Sequence, residues 1–260
     1  MDLLMGIDLG STSIKAVIYK TEGTLVSSGS VATQASNLDP DHPEWVFWDP
    51  DIIWDSVCTA VRSALEQAGD AGRVAAVAVT GWGMDGLPLD AAGEPLYPFI
   101  SWHCGRTEPQ RQAFADKIGL ERLFSITGTQ SMTIHTAYRM LWLQENKPGL
   151  LDRAEIWLPI EDYINYRLCG SKGTDYSMAS CSALFDQKSR QWSEELIQEA
   201  GIPHHIFPEV RDSGTKIGGV SGQAAADTGL EEGAPVVQGG HDYHCGALAV
   251  GAFDPGIVMD

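Results

Sequence analysis

Residues 6–15, Gly-Ile-Asp-Leu-Gly-Ser-Thr-Ser-Ile-Lys, combine one carboxylate with a row of small side chains. An apolar run leads into Asp8, and a second apolar run leaves after the turn Gly10-Ser11-Thr12, a pattern that predicts a β-hairpin. Small residues let backbone N–H groups approach an anion, and a neighbouring carboxylate can hold Mg²⁺ through water. The segment therefore suggests an ATP-using enzyme, although Asp, Gly and Ser are also common in ordinary hairpin turns.

A second acidic motif, Gly239-Gly240-His241-Asp242, stands far downstream. It follows an apolar run that predicts a strand, and it precedes a segment with helical character. An aspartate at such a junction can project into a cleft and act as a general base. It can equally be an N-cap that satisfies the first N–H groups of the helix, and the residues alone favour the N-cap.

Composition limits the classes of partner. The chain has 260 residues, of which 43% are hydrophobic, and 17 Lys and Arg against 35 Asp and Glu give a formal charge of -18. Such a chain repels phosphate backbones and anionic lipid, so we expect neither nucleic acid nor a membrane as partner. Five scattered cysteines with no C-x-x-C pair indicate reduced thiols, and no leader is recognised, so we expect a cytoplasmic protein.

The order of predicted elements indicates a mixed α/β fold. A Pro at residue 50 after an Asp predicts a helix start, and residues 74–79 predict a buried, central strand. The other predicted strands are 3–9, 13–20, 25–33, 216–220 and 235–238, and the other predicted helices are 106–118, 135–146, 159–168, 193–200 and 243–250. We therefore expect a mixed β-sheet flanked by helices, with a helical insert, and not a doubly wound Rossmann fold.

Four segments carry a resemblance to the N-terminal half of the FGGY carbohydrate kinases, a family within the actin-like and Hsp70-like ATPases. They are 6–15, 159–170 (Pro-Ile-Glu-Asp-Tyr-Ile-Asn-Tyr-Arg-Leu-Cys-Gly), 174–180 (Thr-Asp-Tyr-Ser-Met-Ala-Ser) and 239–247, in the order and at spacings compatible with that family. The resemblance implies a ribonuclease H-like (actin-like ATPase) domain. It also implies that 1–250 is the sugar-binding domain and that 251–260 starts the connection to a C-terminal ATP-binding domain absent from this chain. The chain is then either an excised domain, which we favour, or a half-kinase; the resemblance also makes a homodimer an open expectation.

The resemblance implies an ATP-dependent phosphorylation of a sugar or polyol hydroxyl, with ATP and Mg²⁺ as its cofactors. Asp242 would be the general base, and Asp8 would hold Mg²⁺ through water. Gly10, Ser11 and Thr12 would meet phosphate, and so would Lys15. Lys15 is otherwise a solvated strand lysine.

The same resemblance places the sugar pocket around Met84, Asp85, Trp102 and Arg106. Asp85 would accept hydrogen bonds from sugar hydroxyls, or it is an ordinary turn residue. Trp102 would form an apolar wall, and Arg106 would touch substrate, brace a carboxylate or lie on the surface. Xylulokinases typically have Met-His where this chain has Met84-Asp85, so the loop is nearer to that of deoxysugar kinases.

Two rival functions share this fold class. A non-catalytic sugar-sensing domain would need neither Asp8 nor Asp242. An assembly or chaperone ATPase of the actin-like or Hsp70-like type would lack the Met84-Asp85 loop and the segment at 174–180. Sugar-stimulated ATP consumption would separate these alternatives.

Overall fold

The computed structural model describes residues 2–252 and Gly256, so most of the predicted connection at 251–260 lies outside the described residues. The strands are β1 (Asp2–Leu9), β2 (Ser13–Lys20), β3 (Leu25–Ala32), β4 (Phe47–Trp48), β5 (Arg73–Gly81), β6 (Gly86–Leu89), β7 (Phe99–Ile100), β8 (Ile156–Pro159), β9 (Gly173–Asp175), β10 (Phe185–Asp186), β11 (Gln191–Trp192), β12 (Glu209–Arg211), β13 (Lys216–Gly219) and β14 (Pro235–His241). The α-helices are α1 (Pro50–Ala68), α2 (Glu108–Ile118), α3 (Leu120–Thr127), α4 (Thr136–Asn146), α5 (Ile160–Cys169), α6 (Tyr176–Ser180), α7 (Glu194–Ala200), α8 (Gly222–Thr228) and α9 (Asp242–Ala249). Short 3₁₀ turns cover Gly105–Thr107, Leu151–Arg153 and His204–Ile206.

A six-stranded sheet of order β13-β14-β5-β1-β2-β3 forms the centre of the fold. Strands β14, β5 and β1 run parallel, whereas the β1–β2, β2–β3 and β13–β14 pairs are antiparallel. This mixed sheet with its flanking helices confirms the predicted fold class. Strand β5 lies between β14 and β1, as its continuous apolar run predicted.

Helix α1 packs closely against the antiparallel side of the sheet. Asp49 caps its N-terminus by accepting hydrogen bonds from the N–H groups of Asp51 and Ile52, with Pro50 at the first helical position, as predicted. On β3, a Cβ added to Gly29 would lie 2.1 Å from the carbonyl oxygen of Ala60. Only glycine therefore allows the helix backbone to approach the strand this closely.

A second hydrophobic core lies in the predominantly helical region between β6 and β12. It is built from α2, α3, α4, α7 and the loops between them. The predicted helices of this region are confirmed, whereas α3 was not predicted. Gly119 and Gly128 bound α3, and its eight residues are too few for an apolar period to stand out. The antiparallel pair β6–β8 joins this region to the central sheet core.

The three parallel strands end at one edge of the sheet, at Leu9, Gly81 and His241. Strand β14 extends beyond the predicted residue 238, because Gly240 and His241 pair with the end of β5. A Cβ on Gly239 would lie 1.7 Å from the carbonyl oxygen of Val79, so glycine is required for this pairing. Ligands of open α/β sheets bind beyond the carboxyl ends of parallel strands, which directs attention to this edge. Among the described residues, no helix has the length and apolar character needed to cross a bilayer.

Candidate active site

Two cavities meet beyond the carboxyl ends of β1, β5 and β14. The inner cavity measures about 390 Å³ and is lined by Ser11, Trp82, Gly83, Met84, Trp102, Met132, Ile134, His241, Asp242 and Tyr243. The outer cavity measures about 710 Å³ and is lined by Asp8, Gly10, Ser11, Thr12, Ser13, Tyr19, Thr80, Asp242, Tyr243, Cys245, Gly246 and Ala249. Ser11, Asp242 and Tyr243 belong to both linings. Asp242 therefore lies where the two cavities join.

The hairpin between β1 and β2 forms one wall of the outer cavity. Gly10 donates its N–H to the carbonyl oxygen of Ser13 at 3.2 Å, and a Cβ at Gly10 would lie 2.7 Å from that oxygen. Thr33 on the far side donates its hydroxyl to the carbonyl of Gly10 at 2.6 Å. These two hydrogen bonds fix the backbone of the turn at Gly10, and Ser11 and Thr12 border the cavity.

Asp8 and Lys15 face each other across the β1–β2 ladder. The Nζ of Lys15 lies 3.5 Å from Oδ2 of Asp8, and both side chains are partly exposed. Asp8 lines the outer cavity, whereas Lys15 is not among its lining residues and reaches it only through Asp8. The structure therefore brings the predicted phosphate turn and its carboxylate together, with Lys15 as the partner of Asp8.

Asp242 is the first residue of α9, and His241 occupies the N-cap position that the alternative interpretation assigned to Asp242. Oδ1 of Asp242 accepts the N–H of Tyr243 at 2.7 Å and lies 2.6 Å from Nδ1 of His241. The backbone before it is fixed, because Thr80 donates its hydroxyl to the carbonyl of Gly240 at 2.6 Å. The carboxylate is partly exposed at the junction of the two cavities.

The segment 174–180 contacts the end of β14 just before Asp242. Ser177 accepts the backbone N–H of His241 at 2.8 Å and donates its own hydroxyl to Oδ2 of Asp175 at 2.6 Å. Asp175 is buried, and its carboxylate also caps α6. The segment is recognisable in the sequence as a motif without an evident role, because its contact with β14 is visible only in the fold.

The inner cavity has an apolar wall. Trp82, Met84 and Trp102 come from the loops after β5 and β7, and Met132 and Ile134 come from the segment before α4. Met84 and Trp102 were predicted from the sequence, whereas Met132 and Ile134 were not. No local signal marks them, because they are apolar residues of a loop that only the fold brings to the cavity.

Asp85 lies behind this wall rather than in it. Its side chain is fully buried and absent from the cavity lining, and Oδ2 accepts N–H groups of Trp48 at 2.7 Å, Trp82 at 2.8 Å and Trp102 at 3.0 Å. Oδ1 faces Nη2 of Arg139 at 3.1 Å. Burial raises the pKa of Asp85, and Arg139 together with these N–H donors opposes the rise. The expected direct contact of Asp85 with sugar hydroxyls is therefore revised: in this structure Asp85 positions the wall.

Arg106 was expected to touch substrate, brace a carboxylate or lie on the surface, but its guanidinium lies among aromatic rings. Its guanidinium carbon lies 4.2 Å from the ring centroids of Trp45 and Phe47 and 5.2 Å from that of Trp142. Nη2 donates to the carbonyl oxygen of Val46 at 3.3 Å. Arg106 neither lines the two cavities nor braces a carboxylate within the described residues; it fills an aromatic cage in the helical region.

A pair of carboxyl groups is buried behind β14. Gln238, two residues before Gly240, donates its amide to Oδ1 of Asp162 at 2.8 Å and to Oε1 of Glu161 at 3.3 Å. Both carboxyl side chains are fully buried. Burial raises the pKa of Asp162 to about 7 and, together with the charge of Asp162, raises the pKa of Glu161 well above its usual value. These raised pKa values favour a protonated carboxyl group beneath β14, the strand that leads into Asp242.

His241 stands directly before the predicted base but had no predicted role of its own. It is buried at 4% side-chain exposure beside the partly exposed Asp242. Burial alone would lower its pKa, but the hydrogen bonds with Asp242 and with Cys181 outweigh burial and raise the pKa of His241 to about 10. Its position directly before the predicted base was a signal available in the sequence.

Comparison with known proteins indicates one family. The sequence profile of the FGGY family of carbohydrate kinases, N-terminal domain, matches residues 3–249. The chain is 34% identical over 254 residues to the L-fuculokinase of Escherichia coli (strain K12), an alignment that covers 96% of this chain and 53% of that relative. It is also 34% identical over 218 residues to a glycerol kinase of Thermococcus gammatolerans, covering 81% of this chain and 43% of that protein.

Solved structures show the same fold. The xylulose kinase from Rhodospirillum rubrum superposes with a TM-score of 0.90 at 28% identity, over 98% of this chain and 52% of that one. The Plasmodium falciparum glycerol kinase with ADP superposes with a TM-score of 0.88 at 23% identity, over 98% of this chain and 51% of that one, which shows the fold alone. The chain spans about half the length of the relatives it matches.

Proposed function

Because this chain belongs to the FGGY family of carbohydrate kinases and matches the N-terminal domain of that family, we propose that it is the sugar-binding half of an ATP-dependent kinase. The reaction would phosphorylate a hydroxyl of a sugar or polyol. The observation that carries this proposal is the position of Asp242, which lines both the inner cavity and the cavity beside the β1–β2 turn. A base at this junction can contact an acceptor hydroxyl on one side while phosphate lies on the other.

The inner cavity suits a small polyhydroxylated molecule. Its volume of about 390 Å³ lies in the range of ligand sites, and its wall combines two tryptophan rings with the polar groups of Ser11, His241 and Asp242. Trp102 is held against this cavity by Asp85. We assign Trp102 and Met84 to substrate contact and Asp85 to the support of that contact.

The β1–β2 turn suits Mg²⁺ and phosphate. Asp8 supplies an oxygen ligand of the kind that Mg²⁺ prefers. A Cβ at Gly10 would clash with the carbonyl oxygen of Ser13 inside the turn, so glycine keeps the turn tight, and Ser11 and Thr12 border the cavity where an anion would lie. Mg²⁺, when bound, would neutralise phosphate charge. Lys15, paired with Asp8, would add positive charge at this turn.

A second domain in cis would complete the nucleotide site. Helix α9 has no buried residue, and it exposes Tyr243 and Leu248 at about 70% of their surface. A helix that carries the proposed base and leaves two large apolar side chains this exposed is consistent with a further domain covering it. The matched relatives, which are about twice as long as this chain, support the same inference.

Among acceptors, a deoxyketose is our first candidate. The relative from Escherichia coli is named an L-fuculokinase, and the apolar side chains of Met84, Met132 and Ile134 in the inner cavity suit a substrate that bears a methyl group. Polyols remain in the test because another relative of equal identity is named a glycerol kinase.

The test is ATP consumption by the full-length protein with ketopentoses, ketohexoses, deoxyketoses and polyols. We expect one class to stimulate ATP consumption strongly, and a deoxyketose to give the highest kcat/KM. Sugar binding without ATP consumption would instead indicate a sugar sensor, and ATP consumption independent of every sugar would indicate an assembly or chaperone ATPase. Either result would overturn the proposal.

A further inference from the structure

We propose that His241 is a positioning residue for Asp242: it stays protonated, holds Oδ1 of the carboxylate through Nδ1–H, and leaves Oδ2 to accept the proton of the substrate hydroxyl. This inference rests on the proposed function and deepens it, because it assigns separate tasks to the two oxygens of the base.

The first support is the geometry of the carboxylate. Nδ1 of His241 and Oδ1 of Asp242 are 2.6 Å apart, a distance at which a proton must lie between them. The N–H of Tyr243 donates to the same oxygen at 2.7 Å and also approaches Nδ1 of His241 at 3.2 Å. The contact with Asp242 is the shorter of the two at Nδ1, so we assign the Nδ1 proton to it. Within the part of the chain that the structure describes, no group donates to Oδ2. One oxygen is therefore doubly held, and the other is free at the junction of the two cavities.

The second support is the way the imidazole ring is held. A Cβ on Gly83 would lie 2.0 Å from Cδ2 of His241 and 2.6 Å from Nε2, so the ring packs directly on the backbone of the loop after β5. Ser177 fixes the backbone N–H of His241. A ring that is pinned on its outer edge and at its backbone has little freedom to turn Nδ1 away from Asp242.

The titratable groups that face the ring come from two places. Asp242, Tyr243 and His244 lie on α9, with the rings of Tyr243 and His244 centred 5.1 Å and 5.7 Å from that of His241. Cys181, after α6, also favours the charged form of the ring, while its own Sγ lies 3.4 Å from the carbonyl oxygen of Ser177. Asp242 is the carboxylate that lies 2.6 Å from Nδ1, and it favours the charged form of the ring.

The third support is the charge of the surrounding surface. The residues that line the inner and outer cavities include no Lys or Arg, and the chain as a whole carries a formal charge of -18. His241 is thus the lining side chain of the inner cavity that can supply positive charge beside the base. An imidazolium favours the ionised form of a neighbouring carboxylate, which is the form that can accept a proton.

Proton balance is simple in this arrangement. The hydroxyl proton of the acceptor moves to Oδ2 of Asp242, the oxygen electron pair forms the new O–P bond, and the bond between the transferred phosphoryl group and ADP breaks. The Nδ1–H of His241 remains on the ring throughout. His241 therefore transfers no proton and acts only through Asp242.

The first experiment compares pH profiles of kcat/KM for the full-length protein and its His241→Asn and His241→Ala variants. Asn keeps an N–H donor near Oδ1 but no charge, so we expect the acidic limb to move upward by about 1–3 pH units. Ala loses the donor as well, and we expect kcat to fall by roughly 10–100-fold in addition. The matched control, His204→Asn at an exposed histidine, should leave the profile unchanged.

An acidic limb that stays in place in His241→Asn would overturn the inference while leaving the proposed kinase function intact. Absence of sugar-dependent ATP consumption in the unmodified protein would instead overturn the proposed function. The two failures are therefore distinguishable.

Gly83→Ala, made alone and combined with His241→Ala, separates positioning of Asp242 from loss of folding. Gly83→Ala keeps His241 but displaces its ring, so we expect the single variant to have a lower kcat than the unmodified protein. The double variant should have the same kcat as His241→Ala, because the ring is already absent. Equal losses in both backgrounds would show that the contact between Gly83 and the ring does not position Asp242.

The protonation state can be read without activity. The ¹⁵N chemical shifts of His241 in this chain should show both ring nitrogens protonated at pH 8. A neutral His241 at pH 8 would overturn the inference whatever the outcome of the kinetic experiments.

Discussion

The carboxylate of Asp85 and the guanidinium of Arg139 form an ion pair with no solvent exposure, in which Oδ1 and Nη2 are 3.1 Å apart. Arg139 also donates Nε to the carbonyl oxygen of Ile100 at 2.9 Å. Since Asp85 holds the N–H groups of Trp82 and Trp102 through its other oxygen, this pair ties α4 to the wall of the inner cavity.

Removing the charge of Asp85 should therefore destabilise the fold. In Asp85→Asn, Arg139 becomes a buried charge without a counter-ion, and we expect the free energy of unfolding to fall by roughly 3–5 kcal/mol. Chemical denaturation measures this change, with Asp152→Asn at an exposed position as control. The double variant Asp85→Asn/Arg139→Met should lose less free energy of unfolding than the sum of the losses in the two single variants. Additive losses would contradict a coupled pair.

Replacing the proposed base should remove turnover and spare binding. For Asp242→Asn in the full-length protein, we expect kcat to fall by about 10²–10⁴-fold, because the amide cannot accept the hydroxyl proton. Sugar should still raise the melting temperature of the variant, since binding to the folded state stabilises it. Near-normal turnover would refute the assignment of Asp242. Asp212→Asn, at an exposed loop position, serves as control.

Arg106 should affect stability rather than substrate affinity. Lysine cannot reproduce the planar contact with the rings of Trp45 and Phe47, so Arg106→Lys should lower the free energy of unfolding by roughly 1–2 kcal/mol. KM for the sugar should stay unchanged. A selective rise in KM with full stability would restore Arg106 as a substrate contact. The exposed Arg153→Lys is the matched control.

The carboxyl pair Glu161 and Asp162 should make stability depend on pH in an unusual direction. Their raised pKa values mean that the folded chain keeps protons which the unfolded chain has released. The free energy of unfolding therefore falls as pH rises from the ordinary carboxyl range through about 7.

The variant Glu161→Gln should remove part of that dependence. We expect the free energy of unfolding of Glu161→Gln to exceed that of the unmodified chain by roughly 1–3 kcal/mol at pH 8 and by little at pH 5. The reason is that an amide needs no proton to be buried. Denaturation at the two pH values measures the difference, and Glu121→Gln at an exposed position should show no such pattern. A loss of stability at pH 8 would mean that Glu161 is ionised and paired.

Local patterns in the chain were enough to predict the elements that carry the chemistry. The hairpin around Asp8, the capped start of α1 and the strand-to-helix junction at Asp242 all depend on neighbouring residues, so their turn and cap chemistry is readable along the chain. The resemblance of four segments in order then indicated the family and the mixed sheet.

By itself, then, the sequence determined the fold class, the family and the two acidic residues, Asp8 at a hairpin and Asp242 at a strand-to-helix junction, that are candidates for chemistry. Only the tertiary structure decided what each side chain faces. Asp85 and Arg106 have the residue types of substrate contacts, yet the fold surrounds one with tryptophan N–H groups and Arg139 and the other with aromatic rings. Met132 reaches the inner cavity from a distant loop. These outcomes depend on burial and on contacts between segments far apart in the chain, which no local pattern encodes.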